Sequence, residues 1–425
     1  MKIYCSGIGG IGLSAFAALQ NEQGHTVLGS DRAESSLLED LRNQGIAVTL
    51  NQDGSQLPED LDLFVYSEAI PEDAPERVQA EKMGVEQMSY FQALGMVSKT
   101  HHVIAVCGTH GKSSTVAMAS RVLIDAGLDP TVVVGTKLPE LGGRNWRSGK
   151  SEYFLLEACE YRRSFHYLSP DTVLMTNVDG DHFDAFDSVK EYQQAFCEFL
   201  DLLPQEGTVI THLSDPDCRH VTEGIQKTVV DVDHLAMVQL KTPGRHMQEN
   251  AQLALGLAEV LGIDHKQAVK SLSSHEGCWR RMEVKGEYGK GVTVIDDYGH
   301  HPREIRAVLS ALKDAYAGRR LVCVFQPHTH DRPLKLYDDF ITAFADADVV
   351  VVSDVYEART DIETKMVDMK KFIADIAKQS SVACVAGGAL EASEHLLKEQ
   401  ILQPGDVVLT LGAGTITQLS DELVA

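Results

Sequence analysis

The stretch Val103-Ile-Ala-Val-Cys-Gly-Thr-His-Gly-Lys-Ser-Ser-Thr115 constrains the fold most, because an apolar run delivers the chain directly into two glycines, a lysine and hydroxyls. Such a run predicts a strand, a tight loop and the start of a helix. Gly108 and Gly111 let the backbone approach phosphate oxygens, Lys112 supplies a positive charge, and the Ser113 hydroxyl can reach a magnesium ion. A helix beginning at Ser113 turns its positive N-terminal end toward the same phosphates. The loop is a shortened form of the phosphate-binding pattern, with Val106 where the longer form has a glycine. A structural turn would account for the glycines but not for Lys112-Ser113 behind them.

Strand-like apolar runs alternate with helical patterns along nearly the whole chain, which predicts α/β domains with largely parallel sheets. At 425 residues the chain exceeds what one core usually serves. Three blocks are expected: residues 1–98, 99–276 and 277–425. The first opens with a strand over Ile3–Ser6, a helix through Gln20 and a strand from His25 to Gly29. The second holds strands near Tyr153–Leu156 and Val173–Thr176, and the helix His246–Leu261 closes it or leads onward. The third alternates Val292–Ile295, Leu321–Phe325, Val349–Val352, Val382–Val385 and Val407–Leu411 with helices.

Charge and cysteine usage exclude several classes. A formal net charge of −24 argues against nucleic acid or an anionic membrane as partner. Small anionic substrates stay compatible, since surface charge is screened within about 8 Å at physiological salt. No apolar run is long enough to span a bilayer, and Met1-Lys2-Ile3-Tyr4 leads straight into a strand pattern, so a cytoplasmic protein is expected. The eight cysteines form no Cys-x-x-Cys pair and read as reduced, mostly buried thiols.

Gly7-x-Gly9-x-x-Gly12 and Asp31 at the end of the following strand match the dinucleotide-fold fingerprint. Alone they would suggest a nicotinamide dehydrogenase. The physical guarantee is narrower: open amides at a helix N-terminus beside a strand end, suited to any diphosphate. In the second block, Glu157 ends one strand, while Asn177, His182 and Asp184 follow the next, so all fall on the edge that carries the phosphate loop. Glu157 and Ser113 suit magnesium; His182 could be a ligand or a supporting or capping residue, since that ion favours oxygen donors. In the third block, Asp296-Asp-Tyr-Gly-His-His-Pro302 and Gln326-Pro-His-Thr-His-Asp-Arg332 follow successive strands and offer His328 and Arg332 for anion recognition. His330 and Asp331 read as a polar loop with a helix cap. The pairs His101-His102, Arg162-Arg163 and Asp338-Asp339 read as solvated faces.

Taken in order, these motifs together with Glu157-Ala-Cys-Glu160, Gly244-Arg-His246, Arg280-Arg281 and Gly412-Ala-Gly414 resemble the Mur ligases of bacterial cell-wall synthesis over nearly the whole chain. The resemblance implies a Rossmann-like N-terminal domain for a UDP-sugar, a central ATPase domain and a Rossmann-like C-terminal domain. It implies ATP and Mg2+ as cofactors and UDP-N-acetylmuramate and L-alanine as partners. It carries Gly108, Thr109, His110, Gly111, Lys112, Ser113, Ser114, Asn250, Arg281 and Asp297 to ATP. Ser113, Glu157 and His182 go to the metal, and Gly9, Gly10, Ile11, Gly12, Asp31, Ser67, His328 and Arg332 to the substrates. Lys112, Glu157, Asn177, His182 and His301 are the implied catalytic set, and Lys112→Ala is expected to fold normally and lose turnover.

Three departures accompany the resemblance. Met247 stands where the family often has asparagine, Phe196 where related ligases carry a modified lysine, and the span from Leu203 to Gly244 is short, so some of the central sheet is expected to be missing. A ligase of preformed peptides, a dehydrogenase and a non-catalytic UDP-sugar sensor stay open as alternatives. The sequence leaves the oligomeric state undetermined.

Overall fold

The computed structural model describes residues 1–180, 185–357 and 366–425. The chain separates into two compact units. One comprises Met1–Gln239 with Glu249–His275, the other Leu240–Gln248 with Glu276–Ala425.

The first unit contains two sheets. In the first, β1 (Lys2–Ser6), β2 (Thr26–Ser30), β3 (Ala47–Thr49), β4 (Leu63–Tyr66) and β5 (Glu86–Ser89) lie in the order β3-β2-β1-β4-β5, all parallel. The order reverses at β1, and the crevice there is where the glycine loop after β1 emerges. The second sheet has seven strands: β6 (His102–Cys107), β7 (Thr131–Leu138), β8 (Arg144–Arg147), β9 (Tyr153–Glu157), β10 (Thr172–Met175), β11 (Thr208–Thr211) and β12 (Thr228–Asp231). Their order is β12-β11-β10-β6-β9-β7-β8, and only β8 runs antiparallel to its neighbour. β6, β9 and β10 are buried along nearly their whole length, as expected of parallel strands covered on both faces.

A continuous apolar core ties the two sheets together, with Leu13, Phe16 and Ala17 of the helix Ile11–Glu22 in one cluster with Val133, Trp146 and Phe154. The hairpin β7–β8, which turns at Gly142 and Gly143, has no counterpart in the sequence expectations. The short span after Leu203 supplies both β11 and β12.

The second unit has one six-stranded sheet: β13 (Glu283–Tyr288), β14 (Val292–Asp297), β15 (Leu321–Phe325), β16 (Val349–Ser353), β17 (Ala383–Gly388) and β18 (Val407–Leu411). The order is β13-β14-β18-β15-β16-β17, parallel except for β13 against β14. β14, β15 and β18 form the buried centre.

All eight cysteines are free thiols, and burial pushes those of Cys159, Cys218 and Cys384 up to about 12. No helix among the described residues is long and apolar enough to cross a membrane. Two of the surface readings are corrected. His101 and His102 are half-buried, their rings 5.4 Å from Phe154 and 5.3 Å from Tyr153. Arg163 pairs with Glu191 and Glu198 of the helix Val189–Asp201 and lies over the Phe186 ring. Asp338 and Asp339 are exposed as expected.

Candidate active site

The phosphate loop follows β6, and Gly111 opens the helix Lys112–Asp125 in a left-handed conformation at φ 83°. A Cβ at Gly111 would come 2.5 Å from Asn250 Oδ1, and one at Gly108, φ 129°, would come 2.0 Å from Thr176 Oγ1. Glycine is therefore required at both positions by conformation and by space. Asn177 braces the loop from the end of β10: its Oδ1 accepts the His110 N–H at 3.0 Å and its Nδ2 donates to the His110 carbonyl at 3.1 Å. Thr176 Oγ1 donates to that same carbonyl at 2.6 Å. The Asp179 N–H donates to Thr109 Oγ1 at 2.8 Å, and His110 Nε2 lies 3.3 Å from Asp179 Oδ2. Gly108, Thr109, His110, Gly111, Asn177 and Asn250 are thus brought together, with Ser113 and Ser114 buried in the first helical turn.

Lys112 contacts a residue the sequence reading quoted but gave no role. Its ammonium lies 2.9 Å from the carboxylate of Glu160, which is fully buried. Burial opposes the charge on Lys112, yet the neighbouring acidic groups, Glu160 foremost, together outweigh it and leave the lysine pKa above its usual value. Asp179, Tyr192 and Glu160 escaped the sequence reading because each acquires its partner only through the fold. The signal for Glu160 was its place in the Glu-Ala-Cys-Glu run just past β9.

The first sheet presents its glycine loop at the same unit's other strand edge. Asp31 Oδ2 accepts the Gly9 N–H at 2.8 Å and Oδ1 accepts that of Arg32 at 2.7 Å, so this carboxylate holds the loop's shape. A cavity of about 300 Å³ is walled by Gly10, Ile11, Gly12 and Ser67 on one side and by Gly135 and Glu157 on the other. Glu157 Oε1 accepts the Gly135 N–H at 2.8 Å, which aims the carboxylate from the end of β9 across β7. The diphosphate-type loop and one of the expected metal ligands therefore share a cavity. His182 lies outside the described residues.

In the second unit, Arg281 projects from a turn in which Arg280 and Met282 both have positive φ, 57° and 47°. Arg280 clamps this turn, donating to Asp296 at 2.9 Å and to the Gly412 and Gly414 carbonyls at 2.5 and 3.1 Å. Arg281 lies over the Tyr298 ring at 5.2 Å. Asp297 is buried, and burial raises its pKa to about 6 against the opposing pull of Arg281. His301 caps the helix Pro302–Ala315: its Nδ1 accepts the Arg303 N–H, and Glu304 accepts the His301 N–H in return. His328 sits with its ring 5.8 Å from those of His300 and Tyr356. Arg332 is half-buried in the short helix Asp331–Lys335. His330 takes the N-cap position of that helix, as expected, but its side chain makes no capping bond: it is buried, with its Nε2 3.5 Å from Glu357. Met247 is buried at 2% exposure.

Three family models match successive parts of the chain: the Mur ligase family catalytic domain over residues 2–102, the Mur ligase middle domain over 106–258, and the Mur ligase glutamate ligase domain over 280–414. The UDP-N-acetylmuramate–L-alanine ligase of Clostridium novyi is 36% identical, over 99% of this chain and 96% of its own. That of Caldanaerobacter subterraneus is 35% identical, over 100% and 97%. Among solved structures, the UDP-N-acetylmuramate-alanine ligase of Thermotoga maritima superimposes with a TM-score of 0.82 at 28% identity, covering 100% of this chain and 98% of that one. A murein peptide ligase from Psychrobacter arcticus, at 22% identity and a TM-score of 0.75, shares the fold. With full-length identity at this level and all three sheets matched, the chain belongs to the Mur ligase family.

Proposed function

We propose that this chain joins L-alanine to the lactyl carboxylate of UDP-N-acetylmuramate at the expense of ATP, through an acyl phosphate, releasing ADP and phosphate. The observation that carries this reading is the cavity walled by Gly10–Gly12 and Ser67 on one side and Glu157 on the other, Glu157 ending β9 beside β6, the strand that leads into the phosphate loop. A UDP-sugar held at the first loop would thereby direct its carboxylate toward a nucleotide held at the second. In this reading residues 1–98 bind the UDP-sugar, 99–276 bind ATP, and 277–425 supply Arg281, Asp297, His328 and Arg332 to the nucleotide and the amino acid. The reaction would take place in the cytoplasm, where both nucleotides are available.

Both reactants of the first step are anions, so charge must be neutralised before they meet. Lys112 and the loop amides do this for the triphosphate. The oxygen donors of Glu157 and Ser113 fit magnesium, which prefers such ligands; His182 belongs to the same expected set. When bound, the ion would offset charge on the transferred phosphoryl group. Asn177 fixes the loop by taking the Thr109 N–H on its carbonyl and the His110 N–H on its Oδ1, and water exclusion would protect the acyl phosphate.

The test is phosphate release with ATP, magnesium and UDP-N-acetylmuramate, supplying L-alanine or a murein tripeptide. Release dependent on L-alanine supports the reading. Release with the tripeptide alone would make the chain a peptide ligase, and release with neither would refute both.

A further inference from the structure

The ammonium of Lys112 has three N–H bonds, and the fold engages all of them within the chain. Nζ donates to the Gly108 carbonyl at 2.5 Å, to the Thr109 carbonyl at 3.1 Å and to Glu160 Oε1 at 3.0 Å. The same carboxylate oxygen accepts from the Tyr192 phenol at 3.4 Å, and that phenol lies 2.8 Å from Thr109 Oγ1. Lys112, Glu160, Tyr192 and Thr109 therefore form a closed ring of polar contacts beneath the loop. Glu160 and Tyr192 are 0% and 1% exposed, so neither is there to meet solvent.

A buried carboxylate is costly unless it is paired, and here the pairing is with the one cation of the phosphate loop. Charge-assisted hydrogen bonds are roughly twice as strong as neutral ones. An incoming phosphate oxygen would therefore displace a neutral carbonyl from Lys112 before it displaced Glu160. The carboxylate then fixes the direction from which the ammonium reaches the nucleotide.

We propose that Glu160 and Tyr192 are positioning residues for the phosphate loop: Glu160 sets the place of the Lys112 ammonium, and Tyr192 links that carboxylate to Thr109, so that the loop favours a triphosphate over a diphosphate. This rests on the reading that ATP binds this loop. Arg163 supports the arrangement from the far side by pinning the helix that carries Tyr192 to Glu191 and Glu198.

Calorimetry with ADP and with a non-hydrolysable ATP analogue, on the full chain and on Glu160→Gln and Tyr192→Phe, decides the matter. A residue that only stabilises the fold would change both affinities in parallel. The expected result is that Glu160→Gln loses at least about fivefold of the preference for triphosphate over diphosphate, while ADP affinity stays within about twofold. Tyr192→Phe should shift the same ratio less, and it decides the question if Glu160→Gln does not fold. Unchanged ratios in the folded variants, or parallel losses, would overturn the inference, as would a parent that binds neither nucleotide. A parent that binds both nucleotides with the expected preference yet ligates no amino acid would sink the ligation reading alone.

Discussion

The carboxylate of Asp297 accepts the backbone N–H of Met282 at 2.8 Å, across the turn that presents Arg281. Its other oxygen takes the Gly299 N–H at 2.7 Å. One buried group thus holds two backbone segments, one of them flanking residues in the left-handed region, where non-glycine backbone is strained by about 1–3 kcal/mol per residue. Asp297→Ala should release the turn and weaken whatever Arg281 binds. Asp297→Asn keeps the acceptor oxygen for one N–H, so ATP affinity should fall less in it than in Asp297→Ala, as read by calorimetry.

Asp297 also makes stability depend on pH in an unusual direction. Its folded pKa, about 6, lies above the unfolded carboxylate value, so the native state holds the extra proton. Stability from this group is present at low pH and is lost as pH rises from about 4 to about 6, by about 3 kcal/mol in all. His246 opposes it. Burial pulls its folded pKa down to about 4 against the opposite effect of Glu304, with Arg281 adding a lesser push in the same direction as burial. The unfolded state then holds the extra proton between about pH 4 and 6.5, so stability rises with pH there by a similar amount. The two slopes should largely cancel in the parent. Urea midpoints of the second unit's transition should fall across this window in His246→Asn and rise in Asp297→Asn; flat profiles in both would contradict the assignment.

Much of this architecture was legible in the apolar runs. Val292–Ile295, Leu321–Phe325 and Val407–Leu411 are continuous because parallel strands are covered on both faces, and they fall within β14, β15 and β18. The hairpin β7–β8 went unread, although Gly142-Gly143 between a valine-rich run and Arg144-Asn-Trp146 carries the turn signal. The loops at Gly9–Gly12 and Gly108–Gly111 were legible because a tight turn from strand into helix needs glycine at fixed places. Glu160 was not, since a glutamate just past a strand looks like a solvated loop residue until the fold closes over it. His301 entered the implied catalytic set, whereas His-Pro followed by Glu304 is equally the signature of a helix cap.

Lys112→Ala illustrates the difference. From sequence alone it should fold normally and lose turnover by on the order of a hundredfold, or about 3 kcal/mol in the barrier. The fully buried Glu160 alters the first half of that expectation. Removing one partner of a buried ion pair typically costs about 3–5 kcal/mol. Lys112→Met should therefore lower the urea midpoint markedly, and Lys112→Met with Glu160→Gln should recover much of the loss. A double variant no more stable than the single one would show that the pair does not carry the coupling.

The glycine loop of the first sheet offers a separable effect. Asp31 accepts the Gly9 N–H, and a Cβ at Gly9 would come 2.8 Å from Asp31 Oδ2. Gly9→Ala must therefore push the carboxylate aside and tilt the amides that the proposed function gives to the UDP-sugar. The expected kinetic result is a KM for UDP-N-acetylmuramate raised about tenfold with kcat nearly unchanged, because the loop binds substrate and transition state alike. An equal fall in kcat would place this loop in the chemistry.

Glu157 offers the complementary test at the other wall of the cavity. Its Oε1 takes the Gly135 N–H, and a Cβ at Gly135 would lie 2.8 Å from Oε2. Glu157→Gln preserves an acceptor for Gly135 while removing the charge that would hold magnesium. The magnesium concentration for half-maximal turnover should rise more than about tenfold, since a hard divalent cation discriminates strongly between carboxylate and amide. Gly135→Ala displaces the carboxylate without neutralising it and should raise the same concentration by a smaller factor. Both variants should bind ADP normally in the absence of metal, because the loop amides and Lys112 are untouched. If Glu157→Gln keeps the parent's magnesium dependence, the ion is held elsewhere along the strand edge.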